Sequence, residues 1–230
     1  MSRLAKLISV KMDLRDVLYV SYLVPSTRIR PLVPSALPLA SIDDRVFVSL
    51  VAMQCRRVHL SALRWPGFNY DQLNLRTYVI DPQTGKPAVY FFKSGVSSIF
   101  IPMATRILGI PWQRISFALR IESSGINDID KYRASGYWSG DIDIEMQTSP
   151  DINRDAATVE HITGPMAGFI GKGNRLKRID IEHKALEIRA LSLSRIKFRL
   201  PVEAGLLLES ELGSPDSVLM VPVSKFTIHI

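Results

Sequence analysis

The sequence predicts a mostly β protein of the α+β kind, a barrel or sandwich of short strands with a few covering helices. Three observations carry that prediction. Residues 72–80 alternate at period two, with Leu73, Leu75, Thr77 and Val79 on one side and Gln72, Asn74, Arg76, Tyr78 and Ile80 on the other. Turn-forming clusters recur about every ten residues, the spacing of all-β architectures. Segments with helical spacing are few and short.

The elements follow in order. Residues 4–18 place apolar side chains at Leu4, Leu7, Ile8, Leu14 and Leu18, which reads as a helix. Residues 45–53 are an apolar run of strand length. The alternating strand 72–80 leads through Asp81-Pro82-Gln83-Thr84-Gly85-Lys86 into the apolar run 87–92, and turn chemistry at those offsets makes the pair a hairpin. Ser97 or Ser98 caps a helix running to Leu108, with Ile99, Met103, Ile107 and Leu108 on one face, and Gly109 and Pro111 stop it. Residues 115–122 read as a strand, and 132–138 with 141–147 flank Ser139-Gly140 as a second hairpin. A short helix is expected over 153–162, capped by Asn153 and ended by Gly164-Pro165. Strands over 176–182, 185–191 and 217–230 complete the chain. No internal repeat or low-complexity linker interrupts it, so one domain over residues 1–230 is expected.

Composition narrows the function classes. Of 230 residues, 47% are hydrophobic and 22% charged, which excludes a disordered chain and implies a sizeable core. Cys55 is the single cysteine, so no disulfide forms, in keeping with a reducing compartment. The apolar runs are strand-length, far short of the roughly 20 residues of a membrane helix. Lys11 and Asp13 break the apolar stretch that a signal peptide needs. A cytoplasmic protein without a membrane partner is the expectation. The formal charge of +7 is concentrated in residues 171–199, where nine Lys/Arg face three acids for a net of +6. That segment has one aromatic residue, Phe198, and no nucleic-acid motif accompanies it. A solvated basic face is therefore the primary reading, and nucleic acid is not the expected partner.

Three stretches carry a family resemblance. The first is Val20-Ser21-Tyr22-Leu23-Val24-Pro25 leading to 30–38. The second is Gln72-Leu73-Asn74-Leu75-Arg76-Thr77-Tyr78-Val79 followed by Gly85-Lys86-Pro87-Ala88-Val89-Tyr90-Phe91-Phe92. The third runs from Ala104 to Trp112. Over roughly residues 12–230 the chain resembles the acetoacetate-decarboxylase-like superfamily, and most closely an uncharacterised branch of it. The resemblance implies a β-barrel or cone with an internal pocket, and a possible homo-oligomer.

The resemblance also implies catalytic positions. The decarboxylases use a Lys-Lys pair to form a Schiff base, and the matching positions here are Trp112 and Gln113. The family's glutamate matches Gln72, and its carboxylate-binding arginine matches Arg15. With no imine-forming lysine at the matching position, acetoacetate decarboxylation by the family route is not expected. The related branch carries a His near His183. Tyr90 in the second stretch and Gln113 beside Trp112 are further pocket candidates.

The residues themselves suggest a binding pocket. Gln72, Asn74, Arg76 and Tyr78 project from one strand face that is too polar for a dry core. Arg76 is suited to clamp a carboxylate, Asn74 and Gln72 to hold a carbonyl, and Trp112 to form an apolar wall. The alternative is a solvated face or a buried structural network. Lys93 shares a predicted strand face with Val89 and Phe91, a setting that favours a neutral, relocated Schiff-base lysine. Snorkelling to water is the competing reading. Cys55 and His59 are too far apart on one strand to share a metal, and Asp141, Asp143 and Glu145 read as a solvated strand face. No metal site and no cofactor are expected, since phosphate loops and dinucleotide fingerprints are missing.

The leading expectation is a barrel that binds a small carbonyl or carboxylate compound. The alternatives are a lyase acting on a keto acid through Lys93, Arg15 and Gln72, and a module that binds acidic partners through 171–199.

Overall fold

The alternating pattern closes into a barrel in the computed structural model, which describes residues 9–62, 67–124, 129–149 and 155–229. Seven strands form it: β1 (Ser9–Pro25), β2 (Arg45–Leu60), β3 (Phe68–Ile80), β4 (Pro87–Val96), β9 (Ala167–Ile170), β10 (Lys177–His183) and β12 (Ser217–His229). They neighbour one another in that order, and β12 returns to pair with β1. The pairings are antiparallel except β4 with β9. Closure leaves these strands without an open edge.

A second, antiparallel sheet leans on the barrel. It comprises β6 (Ser116–Ser124), β7 (Ile129–Tyr137), β8 (Asp141–Thr148) and β11 (Arg189–Lys197). It joins the barrel where β12 pairs with β11 through Leu219 and Met220, while the far end of β12, from Phe226 to His229, pairs with β10. Side chains therefore sort into two apolar layers. Leu18, Leu50 and Leu73 on the barrel's outer surface pack with Phe117, Tyr132 and Ile144 of the second sheet. Met12, Leu14, Val17, Val51 and Met53 point the other way, into the barrel. The two-residue β5 (Gln113–Arg114) runs parallel to the end of β4.

Among the described residues, four short α-helices cover the rest: α1 (Ser26–Ile29), α2 (Phe100–Ile107), α3 (Ala156–Thr163) and α4 (Leu200–Glu203). Ser98 Oγ accepts from the backbone N–H groups of Phe100 and Ile101 and so caps α2, as its position predicts. The cap of α3 is Asp155, which accepts from Ala157 and Thr158; Asn153, the expected cap, lies outside the described residues. The β3–β4 hairpin forms as its turn chemistry predicts. Asp81, only 1% exposed, accepts from Gln83 N and Thr84 Oγ1 within that turn and from Arg178 Nε of β10.

Two elements differ from expectation. The segment 4–18 is not a helix where described: from Ser9 it is strand β1, bonded to β2 on one side and β12 on the other. A β-bulge at Asp16, whose φ is +51°, splits the pair read as one helix face: Leu14 points into the barrel and Leu18 toward the second sheet. The strand expected at 185–191 begins only at Arg189, because β11 takes its register from β8, with Leu191 to Lys197 opposite Thr148 to Asp143.

The basic segment 171–199 spends much of its charge on ion pairs. Arg195 meets Asp143 and Glu145, Lys197 meets Asp141, Arg178 meets Asp81, and Arg189 meets Glu187. The alternating acids of β8 are thus half of a cross-strand charge ladder with β7 and β11. Among the described residues, no helix is long and apolar enough to cross a membrane.

Candidate functional site

The barrel encloses a cavity of about 670 Å³. Period two on β3 sends Gln72, Asn74 and Arg76 into it, while Leu73 and Leu75 go to the layer against the second sheet. Tyr19 of β1 and Ser94 of β4 join them on the wall. The rest of the lining is overwhelmingly aliphatic and aromatic, and among the described residues it holds no Lys, Asp or Glu. Leu60 and Phe68, 41% and 45% exposed, mark the open end, and Arg76 stands eight residues further along β3.

The inner end is closed by a hydrogen-bonded network. Arg76 Nη2 donates to the Ile162 carbonyl at 2.8 Å and to Tyr78 Oη at 3.2 Å. Ile162 lies in the last turn of α3, whose final carbonyls have no partner within the helix, so the guanidinium satisfies one of them. Tyr78 Oη also contacts Ser49 Oγ at 2.8 Å, and Ser49 bonds Ser21 at 2.7 Å. His161 of α3 packs on the Tyr78 ring at 5.1 Å, and burial pushes its pKa down.

Arg76 is held by rings rather than by an acid. Its guanidinium carbon is 5.2 Å from the Tyr19 centroid and 5.3 Å from that of Tyr78. Among the described residues it pairs with no carboxylate, and its Nε is buried without a hydrogen-bond partner. A guanidinium does not give up its proton, so the cavity wall carries a positive charge at this point. Desolvation keeps the Tyr19 and Tyr70 hydroxyls protonated.

Neighbouring polar groups are sorted into spent and free. Gln72 Nε2 donates to Asn74 Oδ1 at 2.9 Å, and Gln72 Oε1 accepts from the Cys55 thiol at 3.7 Å. Both ends of that amide are thus occupied, while the Asn74 amide nitrogen, on a residue that lines the cavity, makes no hydrogen bond among the described residues. Ser94 Oγ, opposite Asn74 on β4, has no partner among the described residues. Cys55 is fully buried, and desolvation pushes its thiol up to about 12, so it is no nucleophile at neutral pH.

Of the residues predicted for the site, Gln72, Asn74, Arg76 and Trp112 line the cavity together. Tyr78 lies behind Arg76 as its support. The others are placed elsewhere. Lys93 does not share the face of Phe91: a β-bulge sets Leu75 opposite Lys93 but Arg76 opposite Phe91, leaving Phe92 as the extra residue. Parity reverses there, so Lys93 follows Leu75 outward and Ser94 takes the inward position. Arg15 precedes the Asp16 bulge and is exposed on the outside. Tyr90 pairs with the outward Thr77 and donates to Gly171 O at 3.2 Å. Gln113 is exposed, and its Oε1 accepts from Trp138 Nε1 at 2.8 Å. His183 caps the end of β10, donating to Lys184 O and stacking on Phe226 at 4.7 Å.

Sequence reasoning missed Tyr19 and Ser94. Tyr19 is readable from the parity of Val17, Tyr19 and Ser21 once the segment is treated as a strand. Ser94 has no such signal, because only the pairing of β3 with β4 reveals the bulge.

Helix α2 covers part of the cavity with Ile101, Ala104 and Leu108, and Lys177 donates to the Leu108 carbonyl at its end. Its outward side is also apolar, with Phe100 and Met103 66% and 67% exposed.

Known proteins share this architecture. The enduracididine biosynthesis enzyme MppR, complexed with the condensation product of pyruvate and imidazole 4-carboxaldehyde, superposes with a TM-score of 0.62 at 14% identity, covering 97% of this chain and 87% of its own. An acetoacetate decarboxylase-like enzyme from Sphingomonas wittichii RW1 gives 0.61 at 12% identity over 96% and 90% of the two chains. Acetoacetate decarboxylase from Legionella pneumophila gives 0.59 at 13% over 96% and 83%. At such identities the likeness shows the fold. No curated protein sequence matches the chain. The model of DUF2071, described as an uncharacterized conserved protein, matches residues 11–225. The chain therefore belongs to the DUF2071 family, and its fold is that of the acetoacetate-decarboxylase-like enzymes.

Proposed function

We propose that the protein binds a small carbonyl or carboxylate compound inside the barrel, with Arg76 as the carboxylate anchor. The observation that carries this reading is a guanidinium on the wall of an apolar cavity with no acidic partner among the described residues. An uncompensated charge in such a place is costly, and two aromatic faces and two hydrogen bonds offset only part of that cost. A ligand carboxylate completes the compensation through charge-assisted bonds, and the Asn74 amide on the same strand face takes a neighbouring oxygen.

Imine chemistry is not part of this function. Lys93 faces outward and no lysine lines the cavity, so among the described residues a bound carbonyl meets no amine. A structure of MppR carries pyruvate, which shows that a related barrel accommodates a small oxo acid. Ligand-observed NMR with pyruvate and acetoacetate tests the proposal. Saturation transfer is expected for the unaltered protein, with loss in Arg76→Met and partial retention in Arg76→Lys. Transfer that is unchanged in Arg76→Met contradicts the assignment, and a borohydride-trapped adduct contradicts the exclusion of imine chemistry.

A further inference from the structure

We infer that the preferred ligand is a monocarboxylic acid with an extended apolar tail, its carboxylate on Arg76 at the inner end and its tail running to the mouth. This rests on the reading that Arg76 anchors a carboxylate, and it adds which acids the cavity selects.

The first support is the distribution of polar atoms along the barrel. The charged group Arg76 and the amide of Asn74 line the inner end, with the buried, unpartnered Ser94 Oγ beside Asn74. Polar residues nearer the mouth are engaged with the protein through at least one atom, and of them only His59 keeps a second ring nitrogen without a bond among the described residues. Thr105 Oγ1 donates back to the Ile101 carbonyl at 2.9 Å, His59 Nδ1 to the Arg57 carbonyl at 2.7 Å, and the Tyr70 hydroxyl is engaged with Cys55. Between them the wall is Met12, Met53, Val58, Phe226 and Ile228. A ligand that matches this wall has one polar end and an apolar remainder.

The second support is size. Phe68 at the mouth and Arg76 at the inner end are eight residues apart on one strand, roughly 26 Å of strand at the usual rise. Pyruvate or acetate on Arg76 leaves most of the 670 Å³ without partner atoms, forfeiting the dispersion and hydrophobic gain of its apolar lining. The third support is charge. Arg76 is the only Lys or Arg on the wall among the described residues, so a second carboxylate on the ligand within the apolar stretch short of the mouth would lie desolvated and unpaired. Esters and alcohols, in turn, bring no charge to Arg76.

The test is a calorimetric series on the unaltered protein: acetate, butanoate, hexanoate, octanoate and decanoate, with pyruvate, 1-decanol and decanedioate as controls. Affinity is expected to rise about fourfold per added methylene. Decanoate should bind at least about tenfold more tightly than 1-decanol, the loss expected when a charge-assisted bond goes. It should also bind more tightly than decanedioate, and Arg76→Met should bring decanoate down to the level of the alcohol. Affinity that is flat with chain length, or highest for acetate or pyruvate, overturns the tail assignment and leaves the carboxylate reading standing. Equal binding of decanoate and 1-decanol, or no carboxylate binding at all, overturns both. The acid–alcohol comparison needs no variant, so it stands whether or not Arg76→Met folds.

Discussion

The guanidinium of Arg76 stands 5.2 Å from the centre of the Tyr19 ring, a cation–π contact between two strands that are not neighbours in the barrel. β2 separates them, so the contact spans the interior instead of running along a ladder. The ring face supplies part of the negative potential that an acid would otherwise supply.

That contact predicts a measurable coupling. Tyr19→Leu keeps an apolar wall but removes the quadrupole, and should cost about 1–2 kcal/mol of stability in the ligand-free protein. In an Arg76→Met background the same change should cost about 1 kcal/mol less, since the cation is gone. Urea denaturation of the four members of the cycle measures the difference, and additive losses would refute the contact's contribution.

Asp16 predicts a pH dependence. At the β1 bulge, desolvation raises its pKa to about 6, against the lowering fields of Arg15 and Arg56, with Asp130 adding to the rise. A carboxyl raised from 3.8 binds more protons folded than unfolded between those values. Its contribution to stability is therefore full below about pH 4 and lost as the pH climbs through about 6. Asn tolerates the left-handed backbone at this position and carries no charge. Asp16→Asn should raise the melting temperature at about pH 8 and leave it nearly unchanged at about pH 4. A stabilisation that grows toward acid pH would reverse the assignment.

Gln113 predicts a structural effect without a binding effect. Its carbonyl accepts from the indole of Trp138, which is 5% exposed, and its own side chain is open to water. Gln113→Ala should cost about 1 kcal/mol, because water can replace the lost acceptor, and should leave carboxylate affinity within error. A variant of normal stability that no longer binds would return Gln113 to the site.

The legible parts of the protein are those where local chemistry and period agree. The β3–β4 hairpin is readable because Asp81 to Lys86 spells a turn and the flanking residues alternate, so Gln72, Asn74 and Arg76 fall on one face as expected. What escapes is set by single extra residues. One bulge at Phe92 exchanges Lys93 for Ser94 on the cavity wall, and another at Asp16 sends Leu14 and Leu18 to opposite layers and turns Arg15 outward. Neither leaves a compositional trace, since a bulge is defined by its partner strand. The basic segment misleads for a related reason. Its charges look unpaired along the chain, and the acids that meet Arg195 and Lys197 lie about fifty residues earlier on β8.

The most direct measurement is a crystal structure of the protein grown with decanoate. The carboxylate is expected within about 3 Å of the Arg76 guanidinium nitrogens, with the tail extended past Met12 and Met53 toward Phe68. A carboxylate held at the mouth beside His59, with Arg76 untouched, would contradict carboxylate anchoring by Arg76.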